Sequence, residues 1–329
     1  GYGKIGQLRF QKLKKNSNTK IIAVHDTKKP NKIDKEIKFC ETFDDLISYD
    51  IDAVFICTFN NVLAEYTTKA LRAGKHVFCE KPPAKTTQEL KNVIDVEKIS
   101  GKVLKYGFNH RYHYSVIEAK KIIDTGEMGK ILWLRGIYGK AGSIDYDKNW
   151  RNYKELSGGG ILIDQGIHML DLIRYLSGQN FDNVNSYVST LHWNIEAEDN
   201  AFVIMQSNKK VIATLHSTAT QWKHKFLLEM CFENGYINLD GIISPTGSYA
   251  PEKLIVGKRP KEDEEHNMGK PKENIMSFEK DDSWKIEIDE FIDAILGKSN
   301  IKNGSSEEAI KTLELVETIY KNSNFKSSS

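Results

Sequence analysis

Residues 51–60 read IDAVFICTFN, a run that stays apolar from Ala53 to Cys57. An antiparallel strand with one wet face alternates, whereas a run like this suits a strand covered on both faces, as in a parallel sheet flanked by helices. The neighbouring segments keep to that scheme. Asn61–Ala73 reads as a helix closed by Gly74, KHVFCE as a strand, Thr87–Ser100 as a second helix and KVLKYGFNH as a further strand. Alternating strands and helices predict an α/β domain with a parallel sheet.

The chain opens GYGKIGQLRF, so Gly1, Gly3 and Gly6 fit G-x-G-x-x-G, with a helical stretch from Ile5 to Lys15 directly behind. In a dinucleotide site the first glycine makes a tight turn, the second lets the pyrophosphate approach backbone, and the third packs helix on strand. The helix start, with Lys4 and Ile5, then binds the phosphates. The strand that should precede such a turn is absent, and six to eight residues of strand are expected ahead of Gly1. A β-branched run, Ile21–Val24, leads to Asp26, twenty residues after Gly6. An acidic side chain there accepts from a ribose hydroxyl and favours NAD over NADP. The competing readings are that Asp26 caps a loop, or that Lys28 and Lys29 receive a 2′-phosphate.

Two further stretches carry chemistry. The strand of residues 75–80 ends in Glu80, Lys81, Pro82 and Pro83, a charged pair at a strand's carboxyl end, where open α/β sheets bind ligands. Pro82 also permits a cis Lys81–Pro82 bond. Ser157–Leu176 begins with Gly158, Gly159 and Gly160, and its polar residues Asp164, His168, Asp171 and Tyr175 follow at intervals of four, three and four. That spacing puts them on one helical face, which is either a solvated stripe or a site. The glycine run tips the reading towards a site, because bare backbone lets something come close.

A second domain is expected from residue 109. His113–Thr125 reads as a helix and Lys130–Gly139 as an alternating strand. The polar segment of roughly twenty residues that follows, with Trp150 and Arg151, reads as a lid. Alternating runs at 183–191, 201–206, 211–218 and 226–232 predict an antiparallel sheet, with His216, Ser217, Thr218 and Trp222 on the face turned from the helices. Residues 257–276 read as an exposed charged loop, 282–296 and 305–320 as closing helices, and the FKSSS end as a disordered tail.

Composition narrows the function. Lysine and arginine (47) nearly balance aspartate and glutamate (45), so no global field calls for nucleic acid or an anionic membrane. Cys40, Cys57, Cys79 and Cys231 form no CxxC pair and read as free thiols of a cytoplasmic protein. There is no apolar run of about 18 residues that could span a bilayer, and no signal peptide. The pairs His110 with His113 and His192 with His216 lack a third ligand, so no metal is expected.

Taken in order, the glycine turn, Asp26, the ICTFN strand end, GKHVFCEKP, GFNHRY and GGGILIDQGIHMLDL resemble the Gfo/Idh/MocA oxidoreductases over nearly the whole chain. The resemblance implies a Rossmann domain over 1–108 and, over 109–329, an α+β domain with an open-faced, mostly antiparallel sheet that binds substrate and dimerises. It implies that Glu80 and Lys81 lie at the nicotinamide ribose and that Thr58 and Asn60 line the nicotinamide half. Lys81, Asp164 and His168 form the catalytic group by the same likeness, with Asn109, Trp150 and Arg151 near cofactor or substrate. Phe59 and Leu63 depart from the usual proline and histidine, which touches only details of cofactor contact.

The implied reaction removes a hydride and a proton from a ring hydroxyl of a sugar or nucleotide sugar. An imidazole titrates near neutrality, so His168 suits the base. Asp164 holds a neighbouring hydroxyl and favours the imidazolium, while Lys81 polarises the reacting oxygen. Asp171 either orients His168 from behind or lies on the helix surface. Polyol oxidation is the near alternative. NAD-dependent glycoside cleavage and a non-catalytic NAD-binding regulator are the alternatives from other classes. A homodimer or homotetramer through the C-terminal sheet is expected.

Overall fold

The computed structural model describes residues 1–143, 145–260, 271–323 and 325. They form two compact units. One holds Gly1–Asn109, Glu155–Gly158 and Trp284–Glu314, and the other holds His110–Lys154, Gly159–Ser283 and Leu315–Ser329. Where the sequence suggests one division near residue 109, the chain thus returns to the first unit twice.

The first unit runs α1 (Lys4–Lys14), β1 (Ala23–His25), β2 (Lys38–Cys40), α2 (Phe43–Ser48), β3 (Ala53–Ile56), α3 (Asn60–Arg72), β4 (His76–Glu80), α4 (Thr87–Ser100) and β5 (Leu104–Gly107). All strand pairs are parallel, as the apolar runs require: β1 with β2, and β3, β4 and β5 in that order. Local signals set the helix ends. Thr42 and Asp45 form a capping box at α2, and α4 runs from a Thr86 cap to Gly101 in the left-handed region. Between β1 and β3 lies a cavity of about 780 Å³, lined by Gly1, Val24, Phe43, Val54, Ile56 and Ile292.

The second unit contains α5 (Tyr114–Asp124), β6 (Ile131–Ala141), the first residue of the single turn α6 (Lys154–Ser157), and a π-helical turn (Leu162–Gly166) running into α7 (Ile167–Ser177). Seven more strands follow: β7 (Phe181–Ser189), β8 (Asn200–Ser207), β9 (Ile212–Thr218), β10 (Thr220–Phe232), β11 (Gly235–Asp240), β12 (Glu252–Lys258) and β13 (Glu273–Phe278). They make one sheet in the order β13-β12-β11-β10-β6-β9-β8-β7, antiparallel except for the parallel pair β6–β9. The sheet is therefore larger than the sequence suggested. Glu273–Met276, expected within a loop, are strand residues, while residues 261–270 of that loop and the end of the FKSSS tail lie outside the described residues.

One sheet face packs on α7. A Cβ on Gly136 of β6 would come 2.7 Å from the Met169 side chain, so only a glycine lets the helix lie so close. Ser217 belongs to this covered face, contrary to expectation: it is fully buried and donates to the Ile161 carbonyl at 3.1 Å. Its neighbour His216 points the other way, stacked on Phe202, as strand alternation demands. That second face exposes Trp133, Tyr187, Phe202, Ile204, Ile212 and Ile275.

After this sheet, α8 (Ser283–Ile295) belongs to the first unit, and α9 (Ser306–Asn322) contains the division between the units. Ile288, Phe291 and Ile292 of α8 recur at helical spacing and bury against Phe78 of β4, whose ring meets Phe291 edge-on at 5.6 Å.

Candidate active site

In the first unit the three glycines have different reasons to be glycine. A Cβ on Gly1 would sit 2.3 Å from the Cys57 carbonyl oxygen, and one on Gly6 would sit 2.1 Å from the Gly1 carbonyl oxygen. Both are fixed by the fold. At Gly3, which has φ −69°, a Cβ would meet nothing within 4 Å. Neither backbone strain nor packing accounts for Gly3, which leaves the approach of a ligand to exposed backbone at the start of α1. That is the property a pyrophosphate needs. Gly3→Ala is therefore expected to keep wild-type thermal stability but weaken NAD binding about tenfold or more by calorimetry. Gly6→Ala should instead lower the melting temperature. Unchanged NAD affinity in Gly3→Ala would separate this loop from the cofactor.

Exposed Lys4 and half-buried Ile5 open α1, and Thr58 follows β3 beside Gly1. Asp26, just after β1, accepts from the Tyr2 N–H at 2.6 Å and the Lys28 N–H at 3.2 Å. Burial pushes its carboxyl up, but these backbone donors win and hold it below the usual carboxylate range. It is thus an anion fixed against the glycine turn. Asn60 spends its amide on the Ser157 carbonyl at 2.8 Å. Glu80 ends β4 with Oε1 2.7 Å from Arg9 Nε, and the half-buried Lys81 precedes a cis bond to Pro82. Arg9 also reaches Glu287 of α8 at 2.7 Å and is sandwiched between the rings of Phe78 and Trp284, 4.3 and 4.4 Å away. Asn109 is buried and opens a 3₁₀ turn, Asn109–Tyr112.

In the second unit the glycine run has a structural cause. A Cβ on Gly160 would come 2.1 Å from the Glu198 carbonyl oxygen, and one on Gly159 would come 2.2 Å from the Tyr320 hydroxyl. What approaches the helix start is the protein itself. The buried Glu198 carboxylate accepts from Gly160 N–H (2.8 Å), Leu162 N–H (3.0 Å) and Tyr320 O–H (2.7 Å), capping the turn that carries Asp164. The sequence pointed to a ligand here, and the observed neighbours correct that.

Asp164 and His168 lie one turn apart. Arg151 Nε donates to Asp164 Oδ1 at 3.0 Å, and its guanidinium lies 4.4 Å over the Trp150 ring. The segment expected to be a lid is pinned beside this pair: Tyr146 is buried with Ile161 and Ala219, and Asn152 donates to the Tyr146 carbonyl. Burial raises the phenols of Tyr138, Tyr146 and Tyr249, and the Asp164 charge pushes each further the same way. All three remain protonated donors around one carboxylate. His168 is 5% exposed and stacks on His110. Asp171 is buried rather than on the water-facing helix surface, and Arg111 grips it through Nε–Oδ2 and Nη2–Oδ1, each 2.7 Å. Tyr138 and Tyr249 carried no motif, and His110 and Arg111 lay within GFNHRY without a role being read for them. Only the inward parity of Tyr138 with Leu134 and Gly136 could have marked it.

A glycine turn with an open second position, a fixed acidic residue after the next strand and a parallel sheet define the first unit as an NAD-binding Rossmann fold of an oxidoreductase. A family model of that description matches residues 1–108, and one of the GFO/IDH/MocA C-terminal domain matches residues 116–238. The chain belongs to the Gfo/Idh/MocA family. It is similar to levoglucosan dehydrogenase of Pseudarthrobacter phenanthrenivorans, 41% identical over 43% of this chain and 36% of that protein. It is also similar to D-glucoside 3-dehydrogenase of Escherichia coli, 38% identical over 40% of this chain and 38% of that protein. The matched stretch thus spans less than two fifths of either relative. The crystal structure of aldose-aldose oxidoreductase from Caulobacter crescentus, complexed with glycerol, superposes with TM-score 0.74 at 27% identity, covering 88% of this chain and 82% of that one.

Proposed function

We propose that this protein is an NAD-dependent oxidoreductase that moves a hydride between the nicotinamide and a ring hydroxyl of a sugar or nucleotide sugar. The observation that carries the reading is Gly3, open where Gly1 and Gly6 are closed. The relatives that act on levoglucosan and D-glucosides support a sugar substrate. NAD rather than NADP follows from the Asp26 anion.

The nicotinamide supplies the hydride acceptor when bound. His168 takes the hydroxyl proton, Lys81 polarises the reacting oxygen, and Asp164 accepts from a neighbouring hydroxyl. Gly1, Gly3, Lys4 and Ile5 hold the pyrophosphate and Asp26 the adenosine ribose. Glu80, Thr58 and Asn60 serve the nicotinamide half, with Asn109, Trp150 and Arg151 near cofactor or substrate. The division of labour is 1–108 for cofactor and 109–329 for substrate and assembly. Among the described residues no group of three or more His, Cys, Asp or Glu side chains could hold a metal ion, and no helix is long and apolar enough to cross a membrane.

The exposed aromatic and aliphatic residues of the open sheet face support a homodimer or homotetramer built on that face. Four free cysteines suit a cytoplasmic setting. The test follows NADH formation with a panel of pyranosides, nucleotide sugars and inositols, alongside thermal shifts with NAD and NADP. Stabilisation by NAD and NADH produced from a sugar are expected. NADH from inositol alone would move the reading to a polyol dehydrogenase, and glycoside cleavage without net NADH to an NAD-dependent glycosidase. NAD binding with no turnover of any kind would leave the regulator.

A further inference from the structure

The two imidazoles of His110 and His168 lie face to face, with ring centroids 3.8 Å apart and planes 16° from parallel. Both are buried, at 8% and 5% exposure. His110 sits on the 3₁₀ turn whose next residue, Arg111, grips Asp171, so two consecutive residues hold α7 at points three residues apart. His110 is itself tied down, its Nε2 lying 2.9 Å from the Tyr138 hydroxyl. The residue after this turn, His113, has its Nδ1 2.9 Å from the buried Glu252 carboxylate of β12.

We propose that His110 is a positioning residue for His168: its ring face fixes the plane of the imidazole, and the stacked pair takes up one proton, not two, across the neutral range. The kinetic part of this rests on reading His168 as the base, whereas the proton count does not. Two unit charges about 4 Å apart in a protein interior repel strongly enough to separate the two protonations by about three pH units. A base that receives a proton from an alcohol needs a neutral neighbour at that moment, and the stack provides one. The titratable groups around the pair are Asp164 and Asp171 on the His168 side of the chain, Arg111 on the 3₁₀ turn and His113 just after it. Tyr138 comes from β6, Tyr249 from the segment before β12, His224 from β10 and Glu252 from β12. Asp171 is matched by Arg111, Glu252 meets the His113 ring and the N–H groups of Ser115 and Ile243, and Tyr138 and Tyr249 stay protonated. Lys120 of α5 lies over Tyr175, two turns further along α7.

The experiment is a histidine-ring NMR titration of the full chain, compared with His110→Phe, which keeps an aromatic face but cannot ionise. The wild-type pair should bind one proton between about pH 8 and pH 5, with the second entering about three units below the first, and the variant should show a single His168 step. Two wild-type rings titrating independently within about one unit of each other would overturn the shared proton. The kinetic arm uses any sugar that the wild type oxidises. His110→Ala should lower kcat about tenfold or more with NAD affinity unchanged, and His110→Phe should regain most of that loss. A wild-type kcat in His110→Ala removes the positioning role. If the wild type oxidises no sugar, the proposed function fails, while the titration still decides the proton count.

Discussion

Arg9→Met is expected to destabilise the protein by about 3 to 5 kcal/mol, measured as a fall in the urea midpoint at constant slope. The Arg9 guanidinium is 1% exposed and pairs with Glu80 and Glu287, both buried. Methionine fills similar space but leaves two carboxylates in the interior without their cation, and it forfeits the contacts with Phe78 and Trp284. The loss should depend on pH. Burial pushes the Glu287 carboxyl up to about 7, against the pull of Arg9 and Lys105. A group whose folded value is raised binds more protons folded than unfolded, so its contribution is present in full below the unfolded value and disappears as pH rises through the folded one. Wild-type stability should therefore decline between about pH 4.5 and pH 7, and Glu287→Gln should flatten that decline. A cost below about 1 kcal/mol for Arg9→Met would mean that the unit relaxes and lets water reach the carboxylates. Because Arg9 lies midway along α1 and Glu80 directly precedes Lys81, the same ion pair ties α1 to the end of β4.

The sequence spoke clearly wherever the physics was local. Parallel strands buried on both faces announce themselves as unbroken apolar runs, and a glycine turn followed by an acidic residue twenty positions on is a short-range pattern. It fell silent where partners are distant. Arg111 and Asp171 are sixty residues apart, each inside a motif of its own, and nothing in either motif says that the two pair, so the clamp on α7 could not be read. Strands β12 and β13 carry Glu252, Lys253, Lys258 and Glu273, which look like loop composition, yet Glu252 is buried on His113 and the N–H groups of Ser115 and Ile243. The apolar stripe of α8 says that the helix is buried without saying that it returns to the first unit. Two glycine clusters looked alike in sequence, and only their neighbours separate them. Gly159 and Gly160 admit Tyr320 and Glu198, whereas Gly3 admits nothing that belongs to the chain.

His168→Ala and Lys81→Ala are each expected to lower turnover about 10²-fold or more while NAD binding stays measurable. His168 is fixed by α7 and by its stack on His110, with Asp164 one turn before it. On the proposed roles, removing the imidazole removes the proton acceptor and leaves only the Asp164 carboxylate, and carboxylates as a class are poor bases for an alcohol at neutral pH. The proposed role of Lys81 is a different term, positive charge at an oxygen that becomes more negative as the proton leaves. Groups that serve one proton transfer lose their effects together. The double variant should thus be only slightly worse than the poorer single variant, and primary isotope effects with deuterated substrate should rise in both singles as hydride transfer becomes limiting. Fully multiplicative losses in the double variant would show that the lysine and the histidine serve separate steps, and unimpaired turnover in either single variant would remove that residue from the chemistry.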